Sequence, residues 1–189
     1  MSLQKKQPPM IWMDMEMTGL DPEKERIIEV AVIITDSELN IIEEGPNLVV
    51  HQPNKLLKGM DEWNQKHHKK SGLIDAVKNS TLTLKAAEKQ ILAFIKKHVP
   101  EKKSPLCGNS IHHDRLFLRK YMPSVDKYIH YRLIDVSTLK GLIQRWYPKI
   151  KSHGKDNAHR ALSDIQESIE ELRFYRQHYF KKNVVSKKK

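Results

Sequence analysis

Apolar residues recur at a period of two at Ile11, Met13, Met15 and Met17, which predicts a β-strand. That alternation gathers Trp12, Asp14 and Glu16 on the opposite face. Two carboxylates two residues apart on one strand face lie roughly 7 Å apart at the backbone. Inside a sheet they repel each other and resist desolvation. A solvated strand face is one explanation for them, and a site for a hard cation between apolar flanks is the other. Residues 26–35 are β-branched and almost continuously apolar, the pattern of a central strand covered on both faces. Residues 41–51 read as a third strand, bent or bulged at Gly45 and Pro46 and therefore at a sheet edge. Short connections make these three an antiparallel meander.

Farther along, the period changes. Residues 53–80 read as short helical pieces with breaks at Gly59 and Gly72, and residues 83–98 as a helix carrying Ala87, Ile91, Phe94 and Ile95 on one face. A short strand at 105–109 precedes a helix at about 113–122, and a strand at 131–136 precedes a helix at 137 to about 147. A polar, lysine-rich loop spans 149–157, and a last helix at about 158–179 buries Leu162, Ile165, Ile169 and Leu172. Three antiparallel strands followed by strand–helix units imply an α/β fold, one mixed sheet with helices packed on it. We read a single domain over residues 10–180, between a flexible segment at 1–9 and a basic tail at 181–189.

The chain has 189 residues, 39% hydrophobic and 30% charged, which suits one soluble domain with a sizeable core. No apolar run approaches the roughly 20 residues that span a bilayer, so no membrane association is expected. Neither is there a secretory signal. Cys107 is the lone cysteine, which points to a reducing compartment; the cytoplasm is the expected one, with a mitochondrial form as the alternative. The formal charge of +11 is concentrated at the ends: setting aside seven terminal lysines from 34 basic residues leaves 27 against 23 acidic ones. Bulk charge therefore supports a polyanionic partner only weakly.

Further acids stand where apolar residues are expected. Asp114 opens a helix and shares its face with Phe117, Leu118 and Tyr121. Asp164 sits early in the last helix beside Leu162 and Ile165. For either one, favourable placement at a helix N-terminus is the plain explanation. His159 precedes Asp164 by five residues, about 140° around a helix, so the two share no face if both are helical. The histidine belongs to the start of the helix or to the loop before it.

A D-x-E near the start, a mid-chain Asp opening a helix and a late H-x-x-x-x-D together resemble the Asp-Glu-Asp-Asp-His exonucleases. Longer stretches, I-W-M-D-M-E-M-T-G-L-D, L-C-G-N-S-I-x-x-D, K-Y-M-P and H-Y-R-x-I-D-V-S-T-L-K, are similar to the oligoribonuclease family over residues 11–180. The resemblance implies a ribonuclease-H-like mixed five-stranded sheet, an antiparallel meander plus two parallel strands, flanked by helices. It implies two Mg²⁺ or Mn²⁺ ions held by Asp14, Glu16, Asp114 and Asp164, with His159 as general base. The implied reaction is hydrolysis of very short RNA from its 3′ end, down to 5′-phosphorylated dinucleotides, with release of nucleoside 5′-monophosphates. Ser110, Arg132, Ser137 and Thr138 match residues that cap a 5′-phosphate. Leu20 matches a wedge between bases, and Trp63 and Tyr131 match aromatic residues at the base-binding end. The family is homodimeric, with His68 and Tyr131 at positions that serve the neighbour's site.

Taken without the resemblance, Ser137 is an ordinary N-cap, Arg132 a surface ion-pair partner and Trp63 a core or interface residue. Gly141 stands inside a helix where relatives carry Glu, and His112-His113 offer soft-metal donors without a matching cysteine. A DNA-directed 3′–5′ exonuclease and a non-catalytic nucleic-acid-binding module are the competing functional readings.

Overall fold

The computed structural model describes residues 7–149 and 160–180. Its centre is a five-stranded sheet. Strands β1 (Met10–Met17), β2 (Ile27–Thr35) and β3 (Ile41–Val49) form the expected antiparallel meander. Strand β4 (Leu106–Gly108) runs parallel to β1, and β5 (Leu133–Asp135) parallel to β4, giving the order β3-β2-β1-β4-β5. The acid-bearing β1 is thus the middle strand, where the antiparallel and parallel halves meet.

Strand β2 is buried along its whole length. Strand β3 lies at an edge, and its pairing with β2 jumps from Ala31 opposite Asn47 to Ile33 opposite Glu44, so Gly45 and Pro46 form the bulge. Proline fits there because it has no ladder N–H to give. Glycine is required, since any Cβ at position 45 would run into Phe94 and Val32.

Eight helices occur among the described residues, and all but one follow the expected punctuation. Helices α1 (Asn54–Lys58), α2 (Glu62–Lys70) and α3 (Leu73–Asn79) are the short pieces separated by Gly59 and Gly72, and they enclose a small core of Leu57, Met60, Leu73 and Val77 beneath Ile28. Helix α4 (Leu84–His98) is capped by the Thr83 hydroxyl, which accepts from the Ala86 amide at 3.3 Å. Helix α5 (His112–Tyr121) is followed by α6 (Pro123–Tyr128), which the sequence reading did not anticipate. Its Pro123 sits in the first turn, where proline starts a helix rather than stopping one. Helices α7 (Val136–Trp146) and α8 (Ala161–Tyr179) complete the chain.

The two sheet faces have separate cores. Ile11, Met13 and Met15 pack with Val30, Val32 and Ile34 against Ala87, Ile91 and Ile95 of α4 and Phe117 of α5. On the other face Trp12, Ala31 and Ile33 pack against Ala161, Ile165, Ile169 and Tyr175 of α8. The stripe expected for α8 is therefore rotated. Leu162 and Leu172 are only half-buried, whereas Ser168 and Glu171 are buried. A carboxylate tolerates that position because the Tyr175 hydroxyl donates to it at 2.7 Å, the Asn109 amide donates at 3.1 Å and Lys140 stands at 3.5 Å.

Candidate active site

Strand alternation sends Asp14 and Glu16 to the same side as Trp12, toward α8, and Asp164 in the first turn of that helix meets them. One carboxylate oxygen from each of the three lies within 4.8 Å of the others. Burial pushes the Asp14 carboxyl well above the usual range, and the charges of Asp114, Glu16, Asp164 and Glu29 push it further. Glu16 is raised to about 8 by burial and then by Asp164, Glu29 and Asp114, against the pull of Arg160. Asp114, buried at the start of α5, is also raised to about 8 by desolvation, against the backbone N–H groups of Asp114 and Met15. It stands outside the tight trio but is the strongest charge acting on Asp14.

Such crowding costs stability unless something positive relieves it. The donors are all carboxylate oxygens, a set that fits a hard divalent cation and suits a thiolate- or imidazole-seeking one poorly. The trio is the only metal-competent group of this kind among the described residues. The rings of His112 and His113 lie 4.0 Å apart, tilted by 39°, and His112 Nδ1 lies 3.6 Å from Asp135, so they take no part in it.

The remaining candidates surround this cluster unevenly. His68 is buried, with Nε2 3.0 Å from the Met17 carbonyl and Nδ1 3.8 Å from Glu16 of its own chain. A carbonyl only accepts, so Nε2 carries a proton and Nδ1 faces the carboxylate. Helix α2 thus carries His68 into contact with Glu16 of its own chain. Leu20 is 62% exposed at the tip of the β1–β2 turn. That turn is closed by Thr18 N–H donating to the Arg26 carbonyl at 3.0 Å and by the Thr18 hydroxyl donating to Glu25. The Glu25 side chain passes so near Gly19 that a Cβ there would sit 2.9 Å from it.

Ser110 and Ser137 come together, their hydroxyls 3.4 Å apart. Ser110 is held at φ +50°, a conformation costly for a residue with a Cβ. Its amide donates at 3.0 Å to both Asp135 Oδ1 and Ser137 Oγ. Asp135, not Ser137, is the N-cap of α7, accepting from the Ser137 amide at 3.0 Å. Both serine amides are therefore committed to Asp135, and the Ser137 hydroxyl donates to the same carboxylate oxygen. The exposed Arg132 lies over the Tyr131 ring at 5.7 Å, in place of the ion pair expected of it, and Thr138 is also exposed. Trp63 is not a core residue: it is 57% exposed and stacks on His67 at 3.9 Å. Tyr131 is 73% exposed against His130. Gly141 accepts the Arg145 side chain on its carbonyl at 2.7 Å, within α7. His159 lies outside the described residues, as do most of the 149–157 loop and the basic tail.

Comparison with known proteins matches this arrangement to a family. The RNase T exonuclease model covers residues 11–172. An oligoribonuclease of Chromobacterium violaceum is 56% identical over 173 residues, 91% of this chain and 96% of the relative. The chain belongs to the oligoribonuclease family of exonucleases. The mitochondrial oligoribonuclease of Homo sapiens is 54% identical over 182 residues, 95% of this chain and 77% of that one. Among solved structures, Escherichia coli exonuclease I in complex with a 5cy-dT13 oligonucleotide superposes with a TM-score of 0.70 at 18% identity. It covers 92% of this chain, which spans 42% of that one. That likeness establishes the ribonuclease-H-like fold. As a member of this family the chain is a nuclease, and its acid cluster is consistent with a divalent-metal requirement.

Several residues of this oligoribonuclease-family site went unnoticed in the sequence. Glu29 is fully buried on β2, directly across from Glu16, and is gripped by Arg160. Asp135 organises Ser110 and Ser137, and Asn109 ties the β4–α5 loop to Ser168 at 2.8 Å and to Glu171. The signal for Glu29 was present as one charge inside an otherwise apolar strand.

Proposed function

We propose that this chain is a 3′-to-5′ exoribonuclease that hydrolyses very short oligoribonucleotides, down to 5′-phosphorylated dinucleotides, to nucleoside 5′-monophosphates. The observation that carries the reading is the convergence of Asp14, Glu16 and Asp164 from the two ends of the chain onto one point. These three, with Asp114 behind them, are the ligands proposed for two Mg²⁺ or Mn²⁺ ions. Bound there, such ions supply an activated water and charge neutralisation at the leaving oxygen.

The chain's own groups do the rest. His159 accepts the proton of the attacking water, a task suited to an imidazole with an unperturbed pKa near 6.5. His68 steadies Glu16. Leu20, exposed at its turn, separates the last two bases, and the exposed rings of Trp63 and Tyr131 offer stacking worth about 1–3 kcal/mol per base whatever the sequence. The Ser110 and Ser137 hydroxyls, Thr138 and Arg132 hold the 5′-phosphate and so limit substrate length. We place the enzyme as a homodimer, with Tyr131 reaching toward the neighbouring site. We place it in the cytoplasm, with a mitochondrial form suggested by the human relative. No helix among the described residues is long and apolar enough to cross a membrane.

The test compares turnover of a 5′-phosphorylated dinucleotide with that of a 20-mer, in RNA and in DNA, with Mg²⁺ or Mn²⁺. Faster release of nucleoside 5′-monophosphates from the RNA dinucleotide is expected. Preference for the long DNA strand would make the chain a DNA-directed exonuclease, and salt-sensitive binding without release would make it a binding module.

A further inference from the structure

Asp14 and Glu16 are placed by the sheet itself, but Asp164 arrives on a helix whose start the sheet must locate. The Glu29 carboxylate, fully buried on β2, receives Arg160 Nε at 3.0 Å on each oxygen, Arg160 Nη2 at 2.7 Å and the Ala161 amide at 3.2 Å. Arg160 is the N-cap residue of α8, and its carbonyl accepts the Asp164 amide at 3.0 Å. An unbroken path therefore runs from β2 through Glu29 and Arg160 to the third acid of the trio. His159 is the residue covalently next to the clamped arginine.

We propose that Glu29 and Arg160 are positioning residues that fix the first turn of α8, and with it Asp164, against Asp14 and Glu16. This rests on the metal-site reading given above. Glu29 is not a further ligand, because both its oxygens are occupied by donors from α8. An Arg–carboxylate fork is planar and two-pronged, so it sets direction as well as distance. Apolar contacts such as those of Ala161, Ile165, Ile169 and Tyr175 taken alone leave a helix able to slide along the sheet; a fork from the N-cap residue onto the buried Glu29 opposes that. Arg160 also sets a fixed cation close to the site, which by charge alone opposes cation binding. Its retention there is understandable if its task is geometric.

That opposition makes the proposal testable on the full chain, using Mn²⁺ binding by calorimetry and hydrogen exchange. Arg160→Gln removes a positive charge, so electrostatics alone tightens Mn²⁺ binding. The clamp requires the reverse: a loss of about ten- to a hundredfold, the usual effect of removing a group that orients a ligand. Amides of residues 161–165 are expected to exchange faster while those of β1 and β2 keep their protection. Arg160→Lys, which keeps the charge and loses the fork, is expected to recover part of the affinity. It replaces Arg160→Gln as the test if that variant does not fold. In an Asp164→Asn background Arg160→Gln should cost less than about twofold further, since both changes act through one ligand. Parent-like or tighter Mn²⁺ binding in the folded Arg160 variants, with unchanged exchange at 161–165, overturns the clamp. Parent-like Mn²⁺ binding in Asp164→Asn alone overturns the metal reading instead, and the exchange experiment still decides the clamp.

Discussion

Glu29 and Glu171 lie deeper in the protein than Asp14 and Glu16, yet they are the easier acids to explain. Each is met by donors: Arg160 and the Ala161 amide for Glu29, and Tyr175, Asn109 and Lys140 for Glu171. Asp14 and Glu16 are surrounded instead by the charges of other acids. Burial alone does not mark a functional carboxylate, because a buried acid with its own donors is part of the frame. What marks the site is several acids that raise one another's affinity for protons, and that any divalent cation would relieve.

The sharpest way to break this contrast is to neutralise one member of the crowded group. Asp14→Asn is expected to lower turnover of a dinucleotide by at least about a hundredfold, as loss of a single charge-stabilising group commonly does. Its melting temperature without metal should be unchanged or higher, because a repulsion has been removed. An active Asp14→Asn enzyme would place the chemistry elsewhere.

Next in size is a dependence on pH. Glu16 and Asp114 titrate near 8 in the folded chain, against ordinary values near 4 for unfolded carboxylates. Between those limits the folded state retains protons that the unfolded state has released. Stability of the metal-free protein therefore falls as pH rises from about 4 to 8 and levels off above that. Adding Mn²⁺ should abolish the decline by binding the ionised folded form. Melting curves across this range, with and without metal, check it; a metal-free stability that rises with pH contradicts the crowded-acid description.

A smaller effect is expected on the satisfied side. Glu171→Gln keeps the shape but disturbs the hydrogen bonds with Asn109 and Tyr175, at a cost of about 1–3 kcal/mol in denaturant melts. Mn²⁺ affinity should change far less than in Asp14→Asn. The least is expected from deleting residues 181–189, which should alter dinucleotide turnover by less than about twofold.

How much of this was legible in the chain differs from element to element. The period of two exposed β1 and put Asp14 and Glu16 on one face, because strand geometry fixes sidedness without any tertiary contact. The unbroken run of β2 and the Gly45-Pro46 interruption of β3 located the centre and the edge of the sheet for equally local reasons. Helix α6 escaped because nothing was read beyond the helix expected to end at about 122, whereas Pro123 begins a new turn there. The rotated face of α8 escaped because two of the partners that let Glu171 be buried, Asn109 and Lys140, come from other elements of the folded chain. The bond from the Ser110 amide to Asp135, and the bond between Glu29 and Arg160, join residues distant in sequence, and no periodicity reports such pairs. Asp114 and Asp164 stood out as acids among apolar residues, but their role as ligands, like that of the phosphate-cap residues, came from resemblance to a family. Spacing alone left each of them with an ordinary structural explanation.

The trio draws on the first strand and the last helix of the described chain. A fragment that stops at α7 already contains all five strands of the sheet, yet has only two of the three acids. The crowding of charge around Asp14 is therefore completed only when α8 docks, so the docking of that helix and the assembly of the acid cluster are one event.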